Sequence, residues 1–455
     1  MMKLYNTLTR TIEVLNPLNS NEVTVYTCGP TVYGQPHIGN WVGYIYWDVL
    51  QRTLQAEGLT VKRVQNYTDV GHLVSDDDSG EDKMEKGARA EGITAWQVAE
   101  KYIDIVEHEG YEQLELIRPT LIRATSCIDE QIDFVKELEA KEFTYTIESE
   151  GVYFDSSKLK DYGKLARLDI KGLKQGARVE VAGKRNPTDF ALWKFSPKDA
   201  KRDMEWDSPW GKGFPGWHLE CSVIARENLG DQIDIHCGGV DHIAVHHTNE
   251  IAQTESVTGK QFAQIWVHNN HLKVDGGKMS KSLGNIYTLQ DILDKGYSLD
   301  AFKLMILGKH YRTEGNFTWE ILEAAQNRLN NWRAMADRIW QLPPQNDDDS
   351  NAAIIESLQN DLNSPEALSL IEQAFDLCEK ESRAPSRELI ELITNTLGIK
   401  LLGDDISPDQ KALMGERQKA RTSSDWSKSD KIRDSLKEQG VELNDTKEGT
   451  LWFRV

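Results

Sequence analysis

Seven of the eleven histidines fall between residues 218 and 271, and the same stretch holds Cys221 and Cys237. Thiolate, imidazole and carboxylate are the ligand types of zinc. His246 and Glu250, four apart in HHTNEIAQTE, share one face if that segment is helical. A buried cysteine or a helical His/Glu contact is ordinary when met singly, but crowding of this kind points to a metal. Two further groups suit a triphosphate. His37, Gly39 and Asn40 lie in PHIGN, where Gly39 permits close backbone approach and a helix N-terminus offers unpaired N–H groups. Lys278 and Lys281 lie in KMSKS, framed by Gly276, Gly277 and Gly284, as in a loop that closes over phosphates and neutralises charge. Taken alone, an H-x-G turn is usually a helix start and a Lys/Ser loop is usually solvated surface; their pairing in one chain is the unusual feature.

The elements that must position these residues can be read from periodicity. EVTVYT at 22–27 is a β-branched run, CGPTVYGQP breaks it, and IGNWVGYIYWDVLQRTL has helical apolar spacing; LTVKRVQNYT follows as a second strand. This is the βαβ start of a doubly wound nucleotide-binding sheet, with ligands expected at the turn that carries Cys28. Between about 90 and 205 the pattern turns to helices, then to a strand and a Gly/Lys-rich stretch, as an insertion would. WHLECSVIARENLG is expected to be helical, DQIDIHCGG a strand ending in glycines, and the region beyond about 315 nearly all helix, divided by PPQNDDDSN. The acidic SDDDSGEDKMEKG is read as a solvated loop.

Composition sets the limits. The 455 residues, 39% of them hydrophobic, support several ordinary cores, and no apolar run is long enough to span a bilayer or to serve as a secretory signal, so a cytoplasmic location is expected. Five scattered cysteines form no dense disulfide framework. A net charge of −20 argues against indiscriminate phosphate binding, so an RNA partner must meet local basic patches.

The pairing of H-I-G-N with K-M-S-K-S resembles class I aminoacyl-tRNA synthetases, with Asn40 in place of a second histidine; it still donates a hydrogen bond but carries no charge. Together with T-C-G-P-T-V-Y, D-F-A-L-W-K, P-G-W-H-L-E-C-S, H-C-G-G-V-D, H-H-T-N-E-I-A-Q and the terminal G-T-L-W-F-R, the chain resembles the cysteinyl-tRNA synthetase family over nearly its whole length. The resemblance implies an α/β fold: a class I Rossmann-type doubly wound catalytic domain with an inserted connective domain, then a helical bundle and a small C-terminal anticodon-binding unit. Implied boundaries are 1–120 and 206–262 for the two catalytic halves, 121–205 for the insertion, 263–314 for the KMSKS and stem-contact region, 315–400 for the bundle and 401–455 for the terminal unit.

It also implies the ligands of one Zn²⁺ per chain: Cys28, Cys221, His246 and Glu250. Cys237 stands where the family often has glycine and is left open as an alternative or extra ligand. Because four protein ligands normally close a site, Glu250 is expected to bind weakly or the zinc to become five-coordinate. His37, Asn40, Lys278 and Lys281 are the implied catalytic and ATP-binding groups, with Gly39 beside the nucleotide. Gly29, Thr31, Asn66, Thr68, Trp217, Gly239 and Asp241 are placed along the cysteine and adenylate pocket. The implied reaction joins L-cysteine to tRNA(Cys) at the expense of ATP, with Mg²⁺ on the nucleotide and a monomeric enzyme. Zinc would favour a thiolate over a serine hydroxyl, whereas shape alone discriminates by only about 10 to 200-fold. Competing expectations are a cysteine ligase of mycothiol biosynthesis, which needs no anticodon reader, and an inactive RNA-binding paralogue; an unrelated zinc hydrolase leaves KMSKS unexplained. Lys428, Lys431, Arg433 and Lys437, with Trp452, are the candidate RNA contacts of the last unit.

Overall fold

A computed structural model describes residues 1–72, 82–168, 183–197, 202–280, 284–446 and 449–454. Lys281 and residues 75–81 of the acidic stretch lie outside the described residues; the rest of that stretch is not the expected solvated loop but opens the helix Lys83–Glu91, capped by a buried Asp82 and burying Met84. The chain divides into two compact units: Met1–Leu272 with Met279–Leu289 and Tyr311–Glu314, and Lys273–Lys278 with Gln290–His310 and Gly315–Val455.

The first unit is built on five parallel strands: β1 (Glu22–Thr27), β2 (Thr60–Tyr67), β3 (Thr120–Arg123), β4 (Ile233–Gly239) and β5 (Ala263–Asn269), in spatial order β5-β4-β1-β2-β3. β1 is rich in β-branched residues and, as a central strand of a parallel sheet, is buried from Val23 to Thr27. Three helices matter to the site. Helix α1 (Ile38–Ala56) follows β1 and buries Trp41, Val42, Ile45, Val49 and Leu54, the stripe its 3.6-residue period creates. Helix α2 (Trp217–Leu229) leads into β4, and α3 (His246–Thr258) leads from β4 to β5. β1 pairs with β2 on one side and with β4 on the other, so the strand order reverses between β1 and β4. In open α/β sheets ligands bind at the carboxyl ends of strands at such a point.

A four-stranded antiparallel sheet, Thr144–Ile147, Gly151–Phe154, Phe190–Phe195 and Gly213–Pro215, forms the insertion. Its last strand lies beyond 205, and β3 and β5 belong to the central sheet although the expected bounds put residues 121–123 in the insertion and 263–269 in the KMSKS region.

The second unit is mainly helical, with helices Trp319–Asp337, Asp348–Gln359, Ser364–Lys380, Arg387–Leu397, Pro408–Thr422 and Trp426–Glu438, and ends in the hairpin Val441–Asp445/Thr450–Arg454. Ile406, Ile432, Leu436, Val441, Leu443 and Trp452 form one core there. Trp452 is therefore a core residue and not an exposed RNA contact. Its backbone N–H and C=O are both held by the Gln341 side chain, at 2.8 Å each. Lys428, Lys431, Arg433 and Lys437 are exposed.

Candidate active site and metal centre

Cys28 follows the last residue of β1, and its N–H donates to the Cys237 carbonyl across the sheet at 3.1 Å. Gly29 comes next because nothing larger fits: a Cβ there would lie 1.6 Å from the Asn66 carbonyl oxygen. Helix α2 brings Cys221 to the same place, and α3 brings His246 and Glu250, one turn apart as the spacing predicted. The sulfurs of Cys28 and Cys221, a His246 ring nitrogen and a Glu250 oxygen all lie within 4.8 Å of one another, every residue buried. His246 Nε2 is 3.4 Å from Cys221 Sγ and 3.2 Å from Glu250 Oε1.

Surrounding contacts orient these donors. His246 Nδ1 meets His218 Nδ1 at 2.9 Å, which turns Nε2 toward the sulfurs. His236 Nε2 lies 2.8 Å from Glu250 Oε2, occupying the oxygen opposite the one nearest His246. Cys28, His236, His247 and Glu250 form a second, overlapping group of the same compactness, so His236 and His247 stand as close to Cys28 and Glu250 as the implied ligands do. Cys237, buried inside β4, belongs to neither group.

The electrostatics suit a cation. Burial drives His246 and His247 well below the ordinary histidine range, keeping them in the neutral form that ligates metals. Burial also pushes Glu250 and Cys221 upward; it opposes ionisation of Cys28 too, but hydrogen bonds from Cys221 and His242 bring that thiol down to about 7. Burial disfavours charge on His242, but its hydrogen bond to Cys28 and the nearby Cys28, Asp241 and Glu250 charges raise that imidazole to about 9. One imidazolium thus faces two buried thiols and a buried carboxyl, and a divalent metal fits what they still lack.

The expected pocket residues gather around this centre. The Gly29 N–H donates to Asn66 Oδ1 at 2.7 Å, Asn66 Nδ2 donates to Thr68 Oγ1 at 3.0 Å, and Thr31 forms a parallel bridge with Thr68. Trp217, at the start of α2, has its ring 4.5 Å from that of His246 and stacks on His72 at 4.0 Å and 7°. Asp241 folds against Gly239, where a Cβ would come within 2.3 Å of its Oδ1.

The nucleotide turn is formed as the sequence suggested. His37 is the N-cap of α1, and its N–H donates to Asn40 Oδ1 at 2.9 Å, so Asn40 closes the turn through its oxygen and keeps Nδ2 as a donor. Burial lowers the His37 imidazole, and its Nδ1 has no hydrogen-bond partner. Met279 of the KMSKS segment packs onto Gly39. Lys278, exposed, precedes Met279 in the chain.

Two residues that the sequence reading passed over belong to this site. Glu220 accepts the Thr68 hydroxyl hydrogen through Oε1, is 2% exposed, and has its carboxyl pushed well up by burial. His72 bridges Thr31 Oγ1 and Lys83 Nζ, at 2.8 Å to each. Helical spacing was the available signal for the first, since Trp217, Glu220 and Cys221 share one face; His72 had none.

A parallel sheet of this order, with an H-I-G-N turn under a K-M-S segment, defines a class I aminoacyl-tRNA synthetase fold. Solved structures agree on that fold: methionyl-tRNA synthetase of Mycobacterium tuberculosis in complex with methionyl-adenylate aligns at a TM-score of 0.58 and 15% identity, covering 83% of this chain and 88% of that one. The LeuRS of Agrobacterium radiobacter K84, from a ternary complex with tRNA and LeuAMS, aligns at a TM-score of 0.61 and 11% identity, covering 84% and 85%. The family described as tRNA synthetases class I (C) catalytic domain matches residues 14–327. Cysteine–tRNA ligase 1 of Burkholderia lata is 44% identical over 460 residues, 99% of this chain and 97% of that protein, and cysteine–tRNA ligase of Treponema denticola is 38% identical over the full length of both. The chain belongs to the cysteinyl-tRNA synthetase family.

Proposed function

We propose that the protein is a cysteine–tRNA ligase, activating L-cysteine with ATP to cysteinyl-adenylate and pyrophosphate and then transferring cysteine to the 3′ end of tRNA(Cys). The observation that carries this reading is the convergence of Cys28, Cys221, His246 and Glu250 within 4.8 Å at the strand end that also leads to the His37–Asn40 turn. These four residues would hold one Zn²⁺. Bound there, zinc supplies a soft Lewis acid that favours the substrate's sulfur as thiolate over a serine hydroxyl.

The chain's own groups do the rest. Gly29, Thr31, Asn66, Thr68, Trp217, Gly239 and Asp241 enclose the amino acid and its adenylate. As the cysteine carboxylate attacks the ATP α-phosphorus and pyrophosphate leaves, His37, Asn40, Lys278 and Lys281, with Gly39 allowing close approach, position the nucleotide and offset the developing charge; Mg²⁺ enters with ATP. No general base is needed. The region 315–400 would lie along the tRNA and 401–455 would read the anticodon. Among the described residues no helix is long and apolar enough to cross a membrane, and the enzyme is proposed to act as a cytoplasmic monomer.

Cysteine-dependent exchange of pyrophosphate into ATP, zinc content and charging of tRNA(Cys) test this together. Exchange without charging supports the cysteine ligase of mycothiol biosynthesis instead, and absence of exchange with the metal bound supports an inactive paralogue.

A further inference from the structure

Glu220 is a buried acid that the proposed chemistry leaves without a task. Among the described residues no lysine, arginine or histidine pairs with it, and its Oε2 is buried with no hydrogen-bond partner. A half-satisfied carboxyl in this position is costly unless something else completes it.

Its one contact has a direction. A threonine hydroxyl owns one hydrogen and two lone pairs. The Thr68 hydrogen goes to Glu220 Oε1, and Asn66 Nδ2 fills one lone pair at 3.0 Å. Asn66 cannot reverse its amide without losing the Gly29 N–H, which Oδ1 accepts at 2.7 Å. One lone pair on Thr68 is left, so the hydroxyl can only accept.

The location is equally specific. Glu220 precedes Cys221 on α2, Gly29 follows Cys28, and Thr68 bridges Thr31. A cysteine whose sulfur rests at Cys28 and Cys221 carries its α-nitrogen three bonds away, a few ångströms from that sulfur and within the span of this chain of contacts. We infer that Glu220 is a positioning residue for the substrate's α-ammonium group: by taking the Thr68 hydrogen it fixes that hydroxyl as an acceptor turned to the ammonium. The inference rests on the cysteine-activating reading and adds to it a second point of recognition, one that reads the amino group independently of the thiol.

The test compares cysteine with 3-mercaptopropionate, which keeps the thiol and carboxylate but lacks the amine, as a competitive inhibitor of cysteine-dependent pyrophosphate exchange by the zinc-loaded enzyme. In Glu220→Ala the KM for cysteine is expected to rise about 10 to 100-fold, the range of a charge-assisted hydrogen bond. The inhibition constant of 3-mercaptopropionate and the KM for ATP should stay nearly unchanged. Equal weakening of cysteine and the analogue means general damage to the pocket and overturns the inference, as does an unchanged KM for cysteine. Should the alanine variant not fold, Glu220→Gln combined with Thr68→Val decides: the glutamine change is expected to raise the KM for cysteine in the parent and to add nothing once the hydroxyl is gone, and additive effects overturn the inference. Lack of exchange by the parent enzyme would instead remove the underlying reading.

Discussion

Met279 Cε lies 2.3 Å from where a Cβ on Gly39 would sit, so the K-M-S segment rests directly on the first turn of α1. A methyl group at position 39 must push that side chain away. Because the obstacle is the end of a mobile side chain, and because alanine favours helix over glycine by up to about 1 kcal/mol, Gly39→Ala should fold at least as stably as the parent. The displaced Met279 carries the lysine loop with it. The KM for ATP in pyrophosphate exchange should rise about tenfold or more with little change in the KM for cysteine; thermal unfolding alongside steady-state kinetics checks both halves.

In the second unit, Asp445 ties the terminal hairpin to helix Pro408–Thr422. Hydrogen bonds from Arg417 at 2.8 and 2.9 Å, and then from the Thr450 hydroxyl at 2.6 Å, with Arg421 nearby, hold its carboxyl well below the ordinary range. A carboxyl whose pKa is depressed in the folded state adds stability above its unfolded value, near 3.8, and loses it as pH falls through the lower folded value. Asp445→Asn should therefore lower stability at pH 7, and the gap to the parent should close as the pH falls below 3.8. With Asp445 about one-third exposed and screened by solvent, the difference at pH 7 should be about 1 kcal/mol or less and should shrink further in high salt. Denaturant titrations at several pH values measure it.

The legible parts of the chain were those whose local pattern agrees with their final environment. Residues 22–27 form the expected strand and Ile38–Ala56 the expected helix, because a β-branched run buried on both faces and a 3.6-residue stripe packed on a sheet are written in adjacent residues. His246 and Glu250 could be paired for the same reason. Contacts made only by the fold were not legible. Gly213–Pro215 carries no strand signal and becomes a strand through its pairing with Phe190–Phe195 and a bridge to Trp206. His72 and Glu220 acquire meaning only through Thr31 and Thr68. Trp452 reads as a reader of bases until the partner strand Val441–Asp445 covers it.

That last difference changes what mutagenesis of the terminal unit should show. Trp452 is 4% exposed in a core of six residues, so Trp452→Ala should destabilise its unit by about 3 to 5 kcal/mol, as large aromatic truncations do. Its effect on tRNA charging would then be indirect. Arg433 and Lys431 are exposed on helix Trp426–Glu438. Replacing both with alanine should leave the unfolding midpoint nearly unchanged, raise the KM for tRNA and flatten its dependence on salt, because fewer counterions are released on binding. Charging assays at two ionic strengths separate the cases.

Cys237 and Cys221 offer the sharpest contrast at the metal. Both are buried cysteines next to histidine-rich sequence, but only Cys221 joins a compact group of donors. Cys221→Ser replaces a thiolate with a hydroxyl that stays protonated and should abolish stoichiometric zinc and cysteine-dependent exchange together. Cys237→Ala removes a sulfur buried at 0% exposure on β4, the strand that lies between β1 and β5. It should cost about 1 to 2 kcal/mol through the small cavity left behind, while zinc content stays at one per chain. Elemental analysis of the two purified variants decides the matter: loss of zinc in Cys237→Ala would make Cys237 a ligand that neither compact group contains, and zinc retained in Cys221→Ser would move the metal to the alternative group of Cys28, His236, His247 and Glu250, whereas loss in Cys221→Ser with retention in Cys237→Ala places both sulfur ligands at Cys28 and Cys221.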